Sequence, residues 1–212
     1  MALVKYNDRS LRNLTTQPAA VTGNSPGALV HIKTLTASSS GTLSFVDGTD
    51  SVVLDNTYPI YKFEFINIHP SSNDSYFTFQ ANAAGGSGFN ETITSTMFRA
   101  YHKENDSAAV LTYESGDYDL AQQTIFQVLN DSVGTDNDQA SCGTLQIFNP
   151  SSTTFVKHFI YEGVENAADD KVQNTFTAGY FNTTAALDEF QFKMNTGNMD
   201  TGSIKLYGIK DA

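Results

Sequence analysis

Apolar and polar residues alternate with a period of two at many places along the chain. In one such run, Tyr61, Phe63 and Phe65 are separated by Lys62 and Glu64. A β-strand points successive side chains to opposite faces, so this alternation is typical of a strand with one buried face and one wet face. Similar runs lie at 31–36, 42–46, 76–80, 97–102, 110–113, 124–129, 144–148, 155–161, 176–181 and 190–194.

Regularly spaced short strands with turn residues between them predict an all-β fold, an antiparallel β-sandwich that is jelly-roll-like. Helical patterns are short: only 117–123 and 184–190 could hold a turn or two, and we interpret both as connectors. A chain of 212 residues is long enough for one sandwich domain. We expect that domain to cover residues 25–212, after an extended N-terminal arm at 1–24.

Three long segments of low hydrophobicity are predicted to be loops. They lie at 81–92, 130–141 and 163–175. Loops of this length in a compact domain are usually functional or mobile. We therefore expect them at the ends of the sandwich, in contact with neighbouring molecules.

The first residues differ from the rest of the chain in charge. Lys5, Arg9 and Arg12 are accompanied by a single acid, Asp8. A basic segment on an acidic body is a candidate docking element. We expect Lys5, Tyr6, Arg9 and Arg12 to dock on a partner, and the alternative is a solvated tail.

The overall charge argues against two classes of partner. The formal net charge is −11 and the sequence pI is about 4.5. Nucleic acids are bound mainly through Lys and Arg, so no nucleic acid partner is expected. No segment approaches the ~20 apolar residues of a membrane span, and no membrane partner is expected either.

Residues that could carry catalysis are present but show no motif. The single cysteine, Cys142, rules out a disulfide within the chain, and no histidine pair has metal-ligand spacing. Paired carboxylates could serve a glycosidase, and nothing in the sequence brings any two together. The carboxylates considered are Glu64, Asp117, Asp119, Glu162 and Glu165. We expect no enzyme activity and no cofactor.

A cluster of acids offers hard oxygen ligands for calcium. Asp131, Asp136 and Asp138 lie close together, but without the order or the glycine of an EF-hand. A solvated acidic loop is the alternative interpretation.

The end of the chain carries a sheet-closing motif, a polar turn followed by a strand. The motif residues are Gly202, Ile204, Leu206, Tyr207 and Gly208. Together with segments 1–7, 55–70, 148–159 and 178–184, it resembles a family of β-sandwich virion proteins of tailed phages, common in marine and cyanobacterial phages. The resemblance spans nearly the whole chain and implies a non-enzymatic virion component that is assembled in the cytoplasm of the host bacterium.

Within that family we first expect a capsid decoration or cement protein that stabilises the head lattice. Its partners would be the major capsid protein or other virion proteins, and it would be a homo-oligomer, with a trimer favoured. One alternative is a tail, fibre or baseplate component. Another is a carbohydrate-binding module for host attachment, using loops 81–92 or 163–175 with stacking surfaces from Tyr101, Tyr113, Tyr118 and Tyr180.

Overall fold

The computed structural model describes residues 28–211, and within that range every element is a β-strand. The strands are β1 (Leu29–Thr36), β2 (Leu43–Val46), β3 (Ile60–Pro70), β4 (Ser75–Ala83), β5 (Ile93–Lys103), β6 (Ala109–Glu114), β7 (Ala121–Gln123), β8 (Gln127–Val133), β9 (Ser141–Phe148), β10 (Lys157–Ala167), β11 (Lys171–Phe181), β12 (Leu187–Met194) and β13 (Met199–Ile209).

All strand pairs are antiparallel, and they form one continuous curved sheet with a branch. The larger part runs β1-β13-β3-β9-β10-β11-β5, with β6 and β7 both beside β5. The smaller part runs β8-β4-β12-β2 and joins β10 where Ala167 lies opposite Val133.

The smaller part of the sheet folds over the inner face of the larger part and closes an aromatic core. Phe63 of β3 contacts Phe45 of β2 and Phe192 of β12, with ring centroids 5.2 and 5.1 Å apart. Phe79 of β4 meets Phe159 of β10 at 5.1 Å. These contacts are edge-to-face, a favourable geometry for aromatic rings. The predicted all-β antiparallel fold is confirmed for the described residues, and the likeness to a jelly roll stays a prediction.

The sheet-closing motif lies in β13, between β1 and β3. Ile204 and Leu206 point inward and are fully buried, while Tyr207 points outward and packs edge-on against His31. The motif therefore occupies the interior of the sheet, where both edges of β13 are hydrogen-bonded.

The two glycines of the motif allow close approach of neighbouring groups. Gly202 has a φ of +116°, and its Cα faces the backbone of Asn67. At Gly208 the ring of Tyr58 lies where a Cβ atom would stand. A residue with a side chain would be strained at the first position and would collide at the second.

Segment 163–175 is not a loop, and its prediction as one was wrong. It is a hairpin in which β10 and β11 pair without interruption from Lys157 opposite Phe181 to Ala167 opposite Lys171. The reason is an inverted pattern: Val164 and Val172 point to solvent while Glu165 and Gln173 point inward. The other two predicted loops are shortened, because β4 extends to Ala83 and β8 extends to Val133.

Neither predicted helical connector is helical. The segment 117–123 includes β7, and 184–190 includes the start of β12. Each residue run is too short for a helix that is stable on its own, and strand pairing with β5 and with β4 satisfies the backbone instead. The predicted arm at 1–24 lies outside the described residues.

Candidate interaction surface

One outer face of the larger sheet is apolar. It is made by outward side chains of β9, β10, β11, β5 and β6, which lie side by side. We call it the apolar face. Its apolar members include Phe98, Ala100, Leu111, Tyr113, Phe148, Ile160, Val164, Val172, Phe176 and Ala178. Contiguous exposed apolar area on a soluble protein usually marks a binding surface.

The strand register joins these side chains into one patch. Phe176 lies opposite Phe98, which lies opposite Tyr113. The rings of Phe98 and Phe176 are stacked, with centroids 5.0 Å apart and planes at 13°. At the edge strand β6, Leu111 is 75% exposed and Tyr113 is 56% exposed.

The apolar face has almost no formal charge. Among the outward positions of these five described strands, Glu162 is the one charged side chain with His counted as neutral. The chain as a whole contains 23 acidic residues. The acids are thus distributed almost entirely elsewhere.

Polar side chains occupy the inner side of the same strands. Gln173 Nε2 donates hydrogen bonds of 2.5 Å to Asp131 Oδ1 and to Glu165 Oε1. Arg99 donates from Nη1 to Asp131 Oδ2 and from Nε to Glu114 Oε1, the latter at 2.9 Å. We call these five residues the buried network, and they link β5, β6, β8, β10 and β11.

Protonation within the buried network follows from burial and pairing. Burial raises the pKa of Glu165 well above its usual range, and the neighbouring Asp131 adds to this effect. Burial alone would lower the pKa of Arg99, but the hydrogen bond and charge of Asp131 outweigh it and raise that pKa. The arrangement favours a neutral Glu165 beside an ion pair of Arg99 and Asp131.

A second polar group lies beside the buried network. Asn130 Oδ1 accepts hydrogen bonds from the hydroxyl of Tyr161 and, at 2.8 Å, from Ser141 Oγ. The phenol of Tyr161 lies over Gly163 and Gly143, where Cβ atoms would collide with it. Burial raises the pKa of Tyr161, so its hydroxyl stays a donor. The sheet beneath the apolar face is therefore tied from inside by specific hydrogen bonds.

The candidate docking residues Lys5, Tyr6, Arg9 and Arg12 lie outside the described residues.

The five carboxylates considered for catalysis do not converge in the structure. Glu64 accepts from Lys62 Nζ at 2.9 Å on β3. Glu162 lies on the apolar face, and Glu165 lies on the opposite, inner side of the same strand. Asp117 and Asp119 lie between β6 and β7, where Asp119 accepts a 2.8 Å hydrogen bond from the hydroxyl of Tyr113.

The three aspartates considered for calcium do not share a loop. Asp131 is buried in β8 and paired with Arg99, whereas Asp136 and Asp138 are exposed between β8 and β9. Across residues 28–211, no group of three or more His, Cys, Asp or Glu side chains could hold a metal ion.

The four tyrosines considered for stacking on sugars lie apart. Tyr113 belongs to the apolar face, and Tyr180 lies near its end on β11 beside His158. Tyr101 is on the inner side of β5 under the Lys171 ammonium, and Tyr118 packs against Tyr76. They do not form a single platform.

Sequence reasoning missed three members of the buried network: Arg99, Glu114 and Gln173. Each is polar and faces the inner side of its strand. The residues that precede them in the chain are apolar and face outward: Phe98, Tyr113 and Val172. The signal available in the sequence was an alternation of apolar and polar residues, in which the apolar residues face outward and the polar residues face inward. That signal cannot be told from ordinary alternation without knowing which face is covered.

Comparisons with family models, with curated proteins and with solved structures found no match to this chain. In the part of the chain that the structure describes, no helix is long and apolar enough to cross a membrane.

Proposed function

We propose that this chain is a non-enzymatic structural protein of a tailed-phage virion, a capsid decoration protein that stabilises the head lattice through protein–protein contacts. The observation that carries the proposal is the apolar face on a sheet whose strands are linked from inside by the buried network. The resemblance of segments 55–70, 148–159, 178–184 and 200–209 to phage virion proteins supports the same role.

A decoration protein works by adding buried interface at junctions of the lattice. Each contact that forms only in the assembled particle stabilises that particle by mass action. An acidic chain with net charge −11 stays soluble until it meets its site. The basic segment with Lys5, Tyr6, Arg9 and Arg12 would bind the major capsid protein in the virion.

Copy number in purified particles tests the head assignment. A head protein is expected at hundreds of copies per virion, measured by quantitative mass spectrometry against the major capsid protein. A few to a few tens of copies would instead assign the protein to the tail, fibre or baseplate. Absence from the particle would overturn the virion role altogether.

The docking residues are tested by neutralising their charge. In one variant Lys5, Arg9 and Arg12 are replaced by Gln, and in a control Lys33, Lys205 and Lys210 of the described domain are replaced by Gln. We expect the first variant to lose most of its occupancy on particles and the control to keep it. Equal occupancy of the two variants would contradict a docking role for the basic segment.

A further inference from the structure

We propose that the apolar face binds the same face of a second copy of this chain. This self-contact extends the structural role proposed above by naming the partner of the apolar face. Its place in the virion rests on that proposed role. The stacked rings of Phe98 and Phe176 lie near the middle of the face, where the most important contacts of an interface usually lie.

The distribution of charge favours a second copy over a basic partner. Two copies that each carry a net charge of −11 repel one another, and this repulsion is weakest where the contact surface carries few acids. The apolar face meets this condition, because its one acid is Glu162. A face that served a basic partner would instead keep acidic side chains to complement it.

The size of the face is sufficient for a specific contact. From β9 to β6 there are four strand spacings, about 19 Å, and from Thr94 to His102 the strand rises about 27 Å. The product of these two lengths is about 500 Å². The accessible area of the side chains that project from this part of the sheet is larger than that product. That approaches the ~800 Å² that each partner buries in an interface of standard size.

The edge strand β6 continues the apolar face to the border of the sheet. In the described structure β6 is hydrogen-bonded to β5 alone. Leu111 and Tyr113 lie on its outer side, and Val110 is 38% exposed on its other side. A bare apolar edge promotes uncontrolled pairing between molecules. A second copy packed on the face would cover the outward side chains of this edge strand.

The surface is also preorganised for binding. The hydrogen bonds of Gln173 and Arg99 hold β5, β8, β10 and β11 together beneath the face. A surface that is already ordered loses little conformational entropy on association. The buried network therefore favours the contact without taking part in it.

The test is the mass of the full-length chain in solution, measured by sedimentation velocity over a range of concentrations. One variant carries Val164→Lys and Leu111→Lys on the apolar face. A matched control carries Leu29→Lys and Ile66→Lys, which replace apolar residues that are 45% and 37% exposed on β1 and β3 of the same sheet. Thermal unfolding of both variants shows that they remain folded.

We expect the natural chain and the control to associate, and the face variant to raise the dissociation constant at least about 30-fold, the effect of losing one strong contact of about 2 kcal/mol. A natural chain that stays monomeric at high micromolar concentration would overturn the proposal, and so would a folded face variant that associates as before.

The full-length variant in which Lys5, Arg9 and Arg12 are replaced by Gln distinguishes the face from the basic segment. It should still associate through the face, and its dissociation while the face is intact would contradict the proposal. None of these results depends on the virion. The self-contact can therefore fail while the protein is still found in particles, and it can hold for a protein that is absent from them.

Discussion

Glu165 is an acidic residue in a buried environment. It is buried on the inner side of β10, where its Oε1 atom accepts a hydrogen bond of 2.5 Å from Gln173 Nε2, and Gln173 also binds the carboxylate of Asp131. Its Oε2 atom has no hydrogen-bond partner in the described structure. Burial and Asp131 raise its pKa, although Lys171 and Arg99 oppose the shift. A carboxyl group in this setting is more stable with its proton than without it.

The stability of the chain should therefore depend on pH through Glu165. Because its folded pKa lies above the unfolded value of about 4.3, the stability that the proton contributes is full below that value and is lost as pH rises through the folded pKa. Glu165→Gln keeps the shape without the titration. We expect it to flatten the fall in unfolding free energy that begins as pH rises above the unfolded value, and to stabilise the chain at the upper end.

Chemical denaturation at several pH values measures this effect. Glu104→Gln, at an exposed position, serves as the control and should keep the pH dependence of the natural chain. An unchanged slope in Glu165→Gln would show that Glu165 does not titrate in this range.

At the scale of elements, Arg99 joins strands that are distant in the sequence. From β5 it reaches Glu114 on β6 and Asp131 on β8, so that it connects the larger and the smaller parts of the sheet. Its side chain is 16% exposed, and that of Asp131 is 4% exposed. A charge pair this far from water is costly to break, because each partner left alone is a buried charge.

Arg99→Ala should destabilise the fold by about 3–5 kcal/mol, the usual cost of removing one partner of a buried ion pair. Equilibrium unfolding in urea measures the loss. Lys62→Ala, which removes a more exposed ion pair with Glu64 on β3, should cost no more than about 1 kcal/mol. Equal effects of the two substitutions would mean that the pair with Asp131 has no special role.

For the whole molecule, the important property is an apolar face on an acidic chain. The face carries one acid, Glu162, which is exposed in the single chain and would be desolvated between two copies. Burying a carboxylate without a partner opposes association. The remaining acids lie off the face and keep the separate chains soluble.

Glu162→Gln should strengthen self-association, lowering the dissociation constant about tenfold, which corresponds to about 1.4 kcal/mol. Sedimentation equilibrium at fixed ionic strength measures the constant. Glu189→Gln removes the same charge from β12 in the smaller part of the sheet, and it should have a much smaller effect. If both variants associate equally, the change reflects net charge alone and not the location of Glu162.

The strands of the core were predictable where apolar residues face inward. The runs at 61–65 and 190–194 follow the simple rule, and both lie within strands of the structure, β3 and β12. The parts of β10 and β11 next to their hairpin turn do not follow this rule. There Glu165 and Gln173 face inward, while Val164 and Val172 face outward. For that reason the hairpin was predicted to be a loop and the apolar face was not foreseen.

The sequence by itself determined the all-β class and the position of most strands, because alternation and turn residues act between near neighbours in the chain. Only the tertiary structure decided which side of each strand is covered and which strands are paired. Arg99 meets Asp131 across 32 residues of sequence, and Asn67 lies beside Cys142 across 75. Contacts at such separations depend on how the sheet curves and closes, and no local pattern records that geometry.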